Sequence, residues 1–355
     1  MSLEKLRTRI DAIDEELVRL LNERTALAAE IGRVKIQRGN EVYAPTRERE
    51  VLDHVAAVNR GPLDRQALGA IYREIMSAAL ALESAVKVAY LGPPFTYTHK
   101  AARDKFGSSV EYVACETIAD VFDVVHKRKA SYGVVPVENS TEGAVTNTLD
   151  KFVDSPLKIC AEVYMPISIC LVSRGDRRGV RRIYSKQEVF GQCRQWLQRE
   201  MPGVELMPAA STAKAAELAA GEDGAAALAS SLAAESYGLT VLDRDVQDFV
   251  GNMTRFLVIG QSYAERTGRD KTSVFFSIKH EPGSLYGALS SFRTHGLNMT
   301  RIESRPSKSR AWEYYFFVDV EGHVKDEAVA NALADMSTQC VFMTVMGSYP
   351  RAETI

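Results

Sequence analysis

The chain has 355 residues, 46% hydrophobic and 25% charged, which is enough apolar material for two or three folded cores. A net charge of −2 gives no broad basic surface, which argues against nucleic acid or an anionic membrane as partner while leaving room for small anionic ligands held by local charge. No signal-peptide pattern opens the chain, no apolar run reaches the roughly 18 residues of a membrane span, and Cys115, Cys160, Cys170, Cys193 and Cys340 are scattered without CxxC or zinc spacing, so a cytoplasmic protein with reduced cysteines and no zinc site is expected.

Residues 3–38 place Leu3, Leu6, Ile10, Ile13, Leu17, Leu20, Leu21, Leu27, Ile31 and Val34 at helical spacing, with Gly39-Asn40 as the stop. Pro45-Thr46 starts a second helix to about Asn59, and Asp64 is the N-cap of a third through Glu83. On the first helix Arg24 and Lys35 stand about three turns apart on one face, whereas Arg7 lies roughly 25 Å before Arg24, too far for one small metabolite to touch both. Arg7 is then either a solvated charge or the contribution of a second, antiparallel chain.

"LRTRIDAIDEELVRLLNERTALAAEIGRVK" followed by "YAPTRERE" resembles the all-helical chorismate mutase family. The resemblance implies an intertwined homodimer and a site built from Arg7 of the other subunit with Arg24, Lys35, Arg47, Glu48 and Glu83. Glu83 stands where the family often has Gln, Ala79 where some members have Ser, and Ala44 where some have Asp. The implied chemistry suits these side chains. A pericyclic rearrangement of a dianion needs a cationic frame that holds the compact conformer, with Lys35 facing the ether oxygen. Glu83 can donate at that oxygen only when protonated.

At Lys87 the texture changes. "KVAYLGPP" reads as a buried strand and turn, and strands near 133–137, 168–172, 181–184 and 256–260 alternate with helices near 98–107, 117–128, 190–200, 212–220 and 226–236, an α/β pattern with largely parallel pairing. Polar side chains gather in "VPVENSTEG", "YSKQEVFGQC", "STAKAA" and "GNMTRF". Taken singly, Ser211 and Thr212 read as a helix start and Asn139 and Thr254 as turn formers. As a set they resemble prephenate dehydratase, whose fold has two α/β lobes around a cleft like periplasmic solute-binding proteins. That resemblance implies Thr254 as the group assisting the leaving hydroxyl, Glu138, Asn139, Ser185 and Gln192 as catalytic or orienting groups, and Thr96, Ser211, Thr212, Arg255 and Phe256 as substrate contacts. Phe95 departs from the family's usual Gly, and Lys186-Gln187 from its His-Pro.

After a polar linker, 261–273, the pattern is βαββαβ, the order of a ferredoxin-like unit. "EPGSLYGALSSF" and "RIESRP" resemble an ACT domain of the dehydratase-linked type, implying phenylalanine bound by Gly283, Ser284 and Leu285 with Glu303, Ser304, Arg305 and Pro306. The expectation is a multidomain, homodimeric or larger enzyme: an all-α mutase domain (1–85), a two-lobed α/β dehydratase domain (86–262) and an α+β ACT domain (272–355). As the resemblance implies, chorismate and prephenate are the expected substrates and phenylalanine the expected inhibitor, with no cofactor. One rival reading is a dehydratase whose helical domain serves only dimerisation, another is a solute-binding or sensor protein, and a nicotinamide dehydrogenase is disfavoured because no strand leads into GxGxxG.

Overall fold

The computed structural model describes residues 2–38, 43–83, 86–249, 251–307 and 313–352, so the expected helix stop at Gly39-Asn40 lies outside the described residues. Two compact units emerge: Met1–Lys87 with Arg103–Glu111, and Val88–Ala102 with Tyr112–Ile355.

The first unit contains α1 (Leu3–Gln37), α2 (Pro45–Val58) and α3 (Arg65–Glu83). Asp64 caps α3 as expected, its Oδ1 accepting from the Ala67 N–H at 2.7 Å. Gly32 sits inside α1, where glycine costs about 1 kcal/mol relative to alanine. The compensation is close approach: a Cβ on Gly32 would lie 2.9 Å from the Cβ of Glu83 on α3. Further back, Leu3, Leu6, Ile10, Ile13, Leu17 and Leu20 are all exposed on α1. The later segment 103–111 joins this unit through Lys105, which pairs with Glu48 at 2.8 Å, Phe106, whose ring is 4.8 Å from Tyr43, and Ser108, whose N–H donates to Glu74 at 3.0 Å.

The remaining chain supplies β1 (Lys87–Leu91), α4 (Tyr97–Phe106), β2 (Glu111–Cys115), α5 (Ile118–His126), β3 (Tyr132–Asn139), β4 (Gly143–Ala144), α6 (Thr146–Val153) and β5 (Lys158–Pro166). Next come β6 (Cys170–Ser173), β7 (Arg182–Ser185), α7 (Gln187–Gln192), α8 (Arg194–Glu200), β8 (Glu205–Pro208), α9 (Thr212–Gly221), β9 (Ala225–Ala229), α10 (Ser231–Ser236), β10 (Thr240–Asp243) and β11 (Met253–Gly260). The C-terminal run is β12 (Asp270–Ile278), α11 (Ser284–Thr294), β13 (Met299–Pro306), β14 (Tyr314–Glu321), α12 (Glu327–Gln339) and β15 (Cys340–Pro350), the expected βαββαβ order.

Two expectations are corrected. Residues 226–229 are a strand, not the start of a helix: β9 is wholly buried in a five-stranded sheet ordered β10-β6-β9-β7-β8, where alanine lets α9 pack tightly and tertiary contact overrides helix propensity. Pairing is also mixed rather than largely parallel. β1–β3, β7–β8 and β7–β9 are parallel, but β11 runs antiparallel to both β3 and β5, and β6 antiparallel to β9 and β10.

The C-terminal strands do not form a separate sheet. One ten-stranded sheet runs β13-β14-β12-β15-β5-β11-β3-β1-β2, with β4 off the path. Its seam is the parallel pairing of Gly347 with Ile159, where a side chain on Gly347 would run into the Ile159 backbone. A single core crosses this seam, containing Ile159 and Leu257 together with Phe275, Phe317 and Tyr349.

Candidate functional site

Two constellations stand out. In the first unit Arg24, Lys35, Arg47, Glu48 and Glu83 line one cavity of about 310 Å³, together with Ala44 and Ala79. Arg7 is exposed near the start of α1 and is not among the lining residues. Burial pushes the Glu83 carboxyl above the usual carboxylate range, against the opposing pull of Lys35 and Arg24. Lining residues that sequence reasoning passed over are Tyr43, Arg73, Lys105 and Phe106. Tyr43 Oη and Lys105 Nζ both reach Glu48 Oε2 at 2.8 Å, fixing that carboxylate from one side.

The second constellation lies where β3 ends and β11 begins. Thr254 pairs with Asn139 across the two strands, and Asn139 Nδ2 donates at 2.8 Å both to Thr254 Oγ1 and to Asn252 Oδ1. Asn139 Oδ1 accepts from the Thr141 and Glu142 N–H groups at 2.9 and 3.0 Å, so the amide orientation follows from its neighbours. Gln192 approaches from the other sheet's side and donates to Glu142 Oε1 at 2.6 Å. Asn252, just before β11 and two positions ahead of Thr254, is a site neighbour that sequence reasoning passed over.

Other expected residues are placed differently. Ser185 is 0% exposed and donates to the Leu228 carbonyl at 2.8 Å, so its hydroxyl ties β7 to the neighbouring strand β9. Ser211 is the N-cap of α9, accepting from the Lys214 N–H at 3.0 Å, and Thr212 is buried behind it. Thr96 donates to the Leu91 carbonyl at 3.3 Å at the carboxyl end of β1. Phe95 holds φ at 68°, the left-handed region that explains the family's usual glycine. Here the strain is offset by ring contacts with His99 and Tyr237, at 5.8 and 5.9 Å.

Arg255, expected as a substrate contact, sits in a buried cluster of charges. Neighbours in a strand point to opposite faces, so Thr254 and Arg255 diverge. Arg255 is 4% exposed; its guanidinium bonds Glu162 (2.8 Å), Asp319 (2.5 Å) and Tyr349 (2.9 Å), while Lys271 Nζ reaches Glu162 at 2.9 Å. Removing one partner from such a buried pair costs roughly 3–5 kcal/mol. Glu138, opposite Arg255 in the register, turns the same way: it lies 3.1 Å from Arg301 and 3.9 Å from Arg255, away from Thr254. Phe256 is buried in the core.

In the C-terminal unit Gly283, with φ at 84°, opens α11 and lines a cavity of about 340 Å³ with Ser284, Leu285, Tyr314 and Phe316. Glu303, Ser304, Arg305 and Pro306 are on β13 and do not line it. Among the described residues no group of three or more His, Cys, Asp or Glu side chains is arranged to hold a metal ion. Burial pushes the Cys193 thiol up to about 12, which leaves no thiolate nucleophile beside Gln192 at neutral pH.

Comparison with known proteins finds three family matches in succession along the chain. The chorismate mutase type II profile matches residues 6–84, prephenate dehydratase residues 88–264 and the ACT domain residues 272–337. The chain is 48% identical to the bifunctional chorismate mutase/prephenate dehydratase of Aquifex aeolicus (strain VF5), over 99% of this chain and 98% of that one. The chain belongs to the bifunctional chorismate mutase/prephenate dehydratase family. The relative from Pseudomonas aeruginosa is 42% identical over the same shares. The crystal structure of an Arthrobacter aurescens prephenate dehydratase in complex with L-Phe superposes with a TM-score of 0.70 at 34% identity, covering 75% of this chain and 90% of that one. Both enzyme activities therefore belong to this chain: the mutase matches the helical unit, and the dehydratase match contains the Thr254–Asn139 pair. Lys105 falls within the dehydratase match although it lines the cavity of the helical unit.

Proposed function

We propose that the helical cavity rearranges chorismate to prephenate, that the Thr254 cluster converts prephenate to phenylpyruvate, and that phenylalanine inhibits the second step through the C-terminal unit. In this reading residues 1–85 act as the mutase, 86–262 as a two-lobed dehydratase resembling solute-binding proteins, and 272–355 as a ferredoxin-like regulatory domain. The observation that carries it is the convergence of Arg24, Lys35, Arg47 and Glu83 around one cavity.

At the mutase, Arg24 and Arg47 hold carboxylates and Lys35 faces the ether oxygen as its C–O bond breaks, with protonated Glu83 donating to the same oxygen. No nucleophile is required. The open stripe on α1 and the remoteness of Arg7 support a homodimer in which a second, antiparallel α1 covers the stripe and brings its own Arg7 to the cavity.

At the dehydratase, carboxylate loss and hydroxyl departure are driven together by aromatisation of the ring. Thr254 hydrogen-bonds the departing hydroxyl while Asn139, tied to Asn252, orients Thr254. A threonine hydroxyl is a weak acid, so its help is electrostatic more than full proton transfer. Thr96, at the carboxyl end of a parallel strand where α/β ligands collect, and Gln192 complete the cleft. The cavity at Gly283, Ser284 and Leu285, with the Phe-complexed relative, supports phenylalanine as effector, Glu303–Pro306 adding contacts from a paired domain. A cytoplasmic setting is part of this reading; no helix among the described residues is long and apolar enough to cross a membrane.

The test feeds chorismate to the purified chain and follows prephenate and phenylpyruvate with and without phenylalanine. Both products should appear in order, with phenylpyruvate alone suppressed by phenylalanine. Failure to consume chorismate would remove the mutase reading.

A further inference from the structure

Arg255 and Glu138 face each other across β11 and β3, one residue away from the Thr254–Asn139 pair that occupies the opposite face. Behind them stand Asp319 of β14 and Arg301 of β13, themselves paired across their strands. The charges alternate around a closed ring: Arg255 to Asp319, Asp319 beside Arg301, Arg301 to Glu138 at 3.1 Å, and Glu138 to Arg255 at 3.9 Å. Two corners lie in the dehydratase match and two in the ACT match. We propose that Arg255 and Glu138 are positioning residues that never touch substrate, and that this charge ring is the link through which the ACT strands act on the Thr254–Asn139 pair. The proposal rests on the feedback reading above.

Three observations carry it. β13 is two-faced: Arg301, Glu303 and Arg305 are half-buried while Ile302, Ser304 and Pro306 are exposed. Its inner face holds the dehydratase segment twice, through Arg301 to Glu138 and through Arg305 to Asp150 at 3.3 Å. Pro306, at its end, pairs with Tyr314, which lines the cavity at Gly283–Leu285. A ligand in that cavity therefore bears on the strand that carries both ties. Finally, Arg301 Nε approaches Glu138 Oε2 at 3.1 Å outside hydrogen-bond geometry and Nη2 is buried without a hydrogen bond, so the pairing is chiefly ionic and its strength depends on where β13 sits.

The ring is severed without touching the catalytic pair. In full-length protein, Arg301→Gln and Asp319→Asn should bind phenylalanine, measured by calorimetry, within about threefold of the unaltered chain, while the phenylalanine concentration that half-inhibits the dehydratase rises at least about tenfold. Arg301→Lys should restore most of the sensitivity, and the mutase rate reports that the preparation is intact. Should Asp319→Asn fail to fold, Arg301→Gln carries the test with the same expectation. Half-inhibition unchanged in these variants while phenylalanine still binds would overturn the proposal. So would loss of phenylalanine binding in Arg301→Gln, which would make Arg301 an effector ligand. An Arg255→Lys variant that raises the prephenate KM with kcat intact would return Arg255 to the substrate contacts and overturn it as well. If the unaltered chain is not inhibited by phenylalanine, the feedback reading fails and this one falls with it. Deleting everything after residue 262 is a poorer test, because it strips Asp319, Lys271 and Tyr349 from Arg255 and Glu162 at once.

Discussion

Gly32 lies directly beneath Glu83, so close that a Cβ added to the glycine would sit 2.9 Å from both the Cβ and the Cγ of the glutamate. Replacing a helical glycine by alanine ordinarily stabilises by about 1 kcal/mol. Here Gly32→Ala should instead lower the thermal midpoint of the helical unit and cut mutase kcat/KM about tenfold, a loss of roughly 1.4 kcal/mol in transition-state stabilisation. Dehydratase turnover on supplied prephenate should not change. A variant more stable than the parent with full mutase activity would show that α1 and α3 can part there without cost.

The pH dependence of the mutase follows from the same glutamate. Burial raises the Glu83 carboxyl above its ordinary 4.5, so the proton persists into milder pH. As pH rises through the raised value, the site loses a donor and gains a poorly solvated charge, and mutase activity should fall. Stability shifts the same way: the folded form binds this proton more tightly than the unfolded chain, so the contribution is full below 4.5 and is lost as pH climbs through the folded value. Glu83→Gln should flatten the rate profile, measured on chorismate from mildly acidic to alkaline pH.

Lys105 and Tyr43 converge on one oxygen of Glu48. Lys105→Ala should raise the chorismate KM about tenfold, with kcat changed less, because a freed carboxylate loses orientation before it loses chemistry. Lys105→Arg should recover most of the difference. A helical unit cut at residue 85 should share the KM defect; normal kinetics from that fragment would show that Glu48 orients itself.

Thr254→Ala should abolish dehydratase turnover, with a loss of at least about a hundredfold, and leave the mutase within twofold of the parent. Thr254→Ser, which retains the oxygen bonded to Asn139, should keep part of the rate. Both are measured on chorismate and on prephenate separately, so that the two steps are resolved.

At the sheet seam, Gly347→Val should destabilise the whole second unit, because any side chain there meets the Ile159 backbone where β15 joins β5. Thermal unfolding of that unit should remain a single transition at lower temperature, since one core crosses the junction. Two separated transitions would mean that the C-terminal strands fold as an independent body.

Much of the architecture was legible because the relevant physics is local. Helical spacing from Leu3 to Val34, the cap at Asp64, the turn at Gly283 and the βαββαβ order all come from periodicity and backbone preference, and the structure bears them out. That Arg24 and Lys35 line one cavity was legible for a related reason, since they share one helix face. The alanine-rich stretch at 226–229 misled because alanine's local preference is helical, whereas its small volume suited the centre of a sheet.

What sequence alone determined, then, was which side chains travel together along each element. What only the tertiary structure decided was the neighbour each face receives. Strand alternation says that Thr254 and Arg255 diverge, but not that strands from far along the chain supply Asp319 and Tyr349 to the arginine's side. A buried cation is tolerable only where opposite charge is built to meet it, and that charge comes from residues whose distance in sequence carries no trace of their nearness in space.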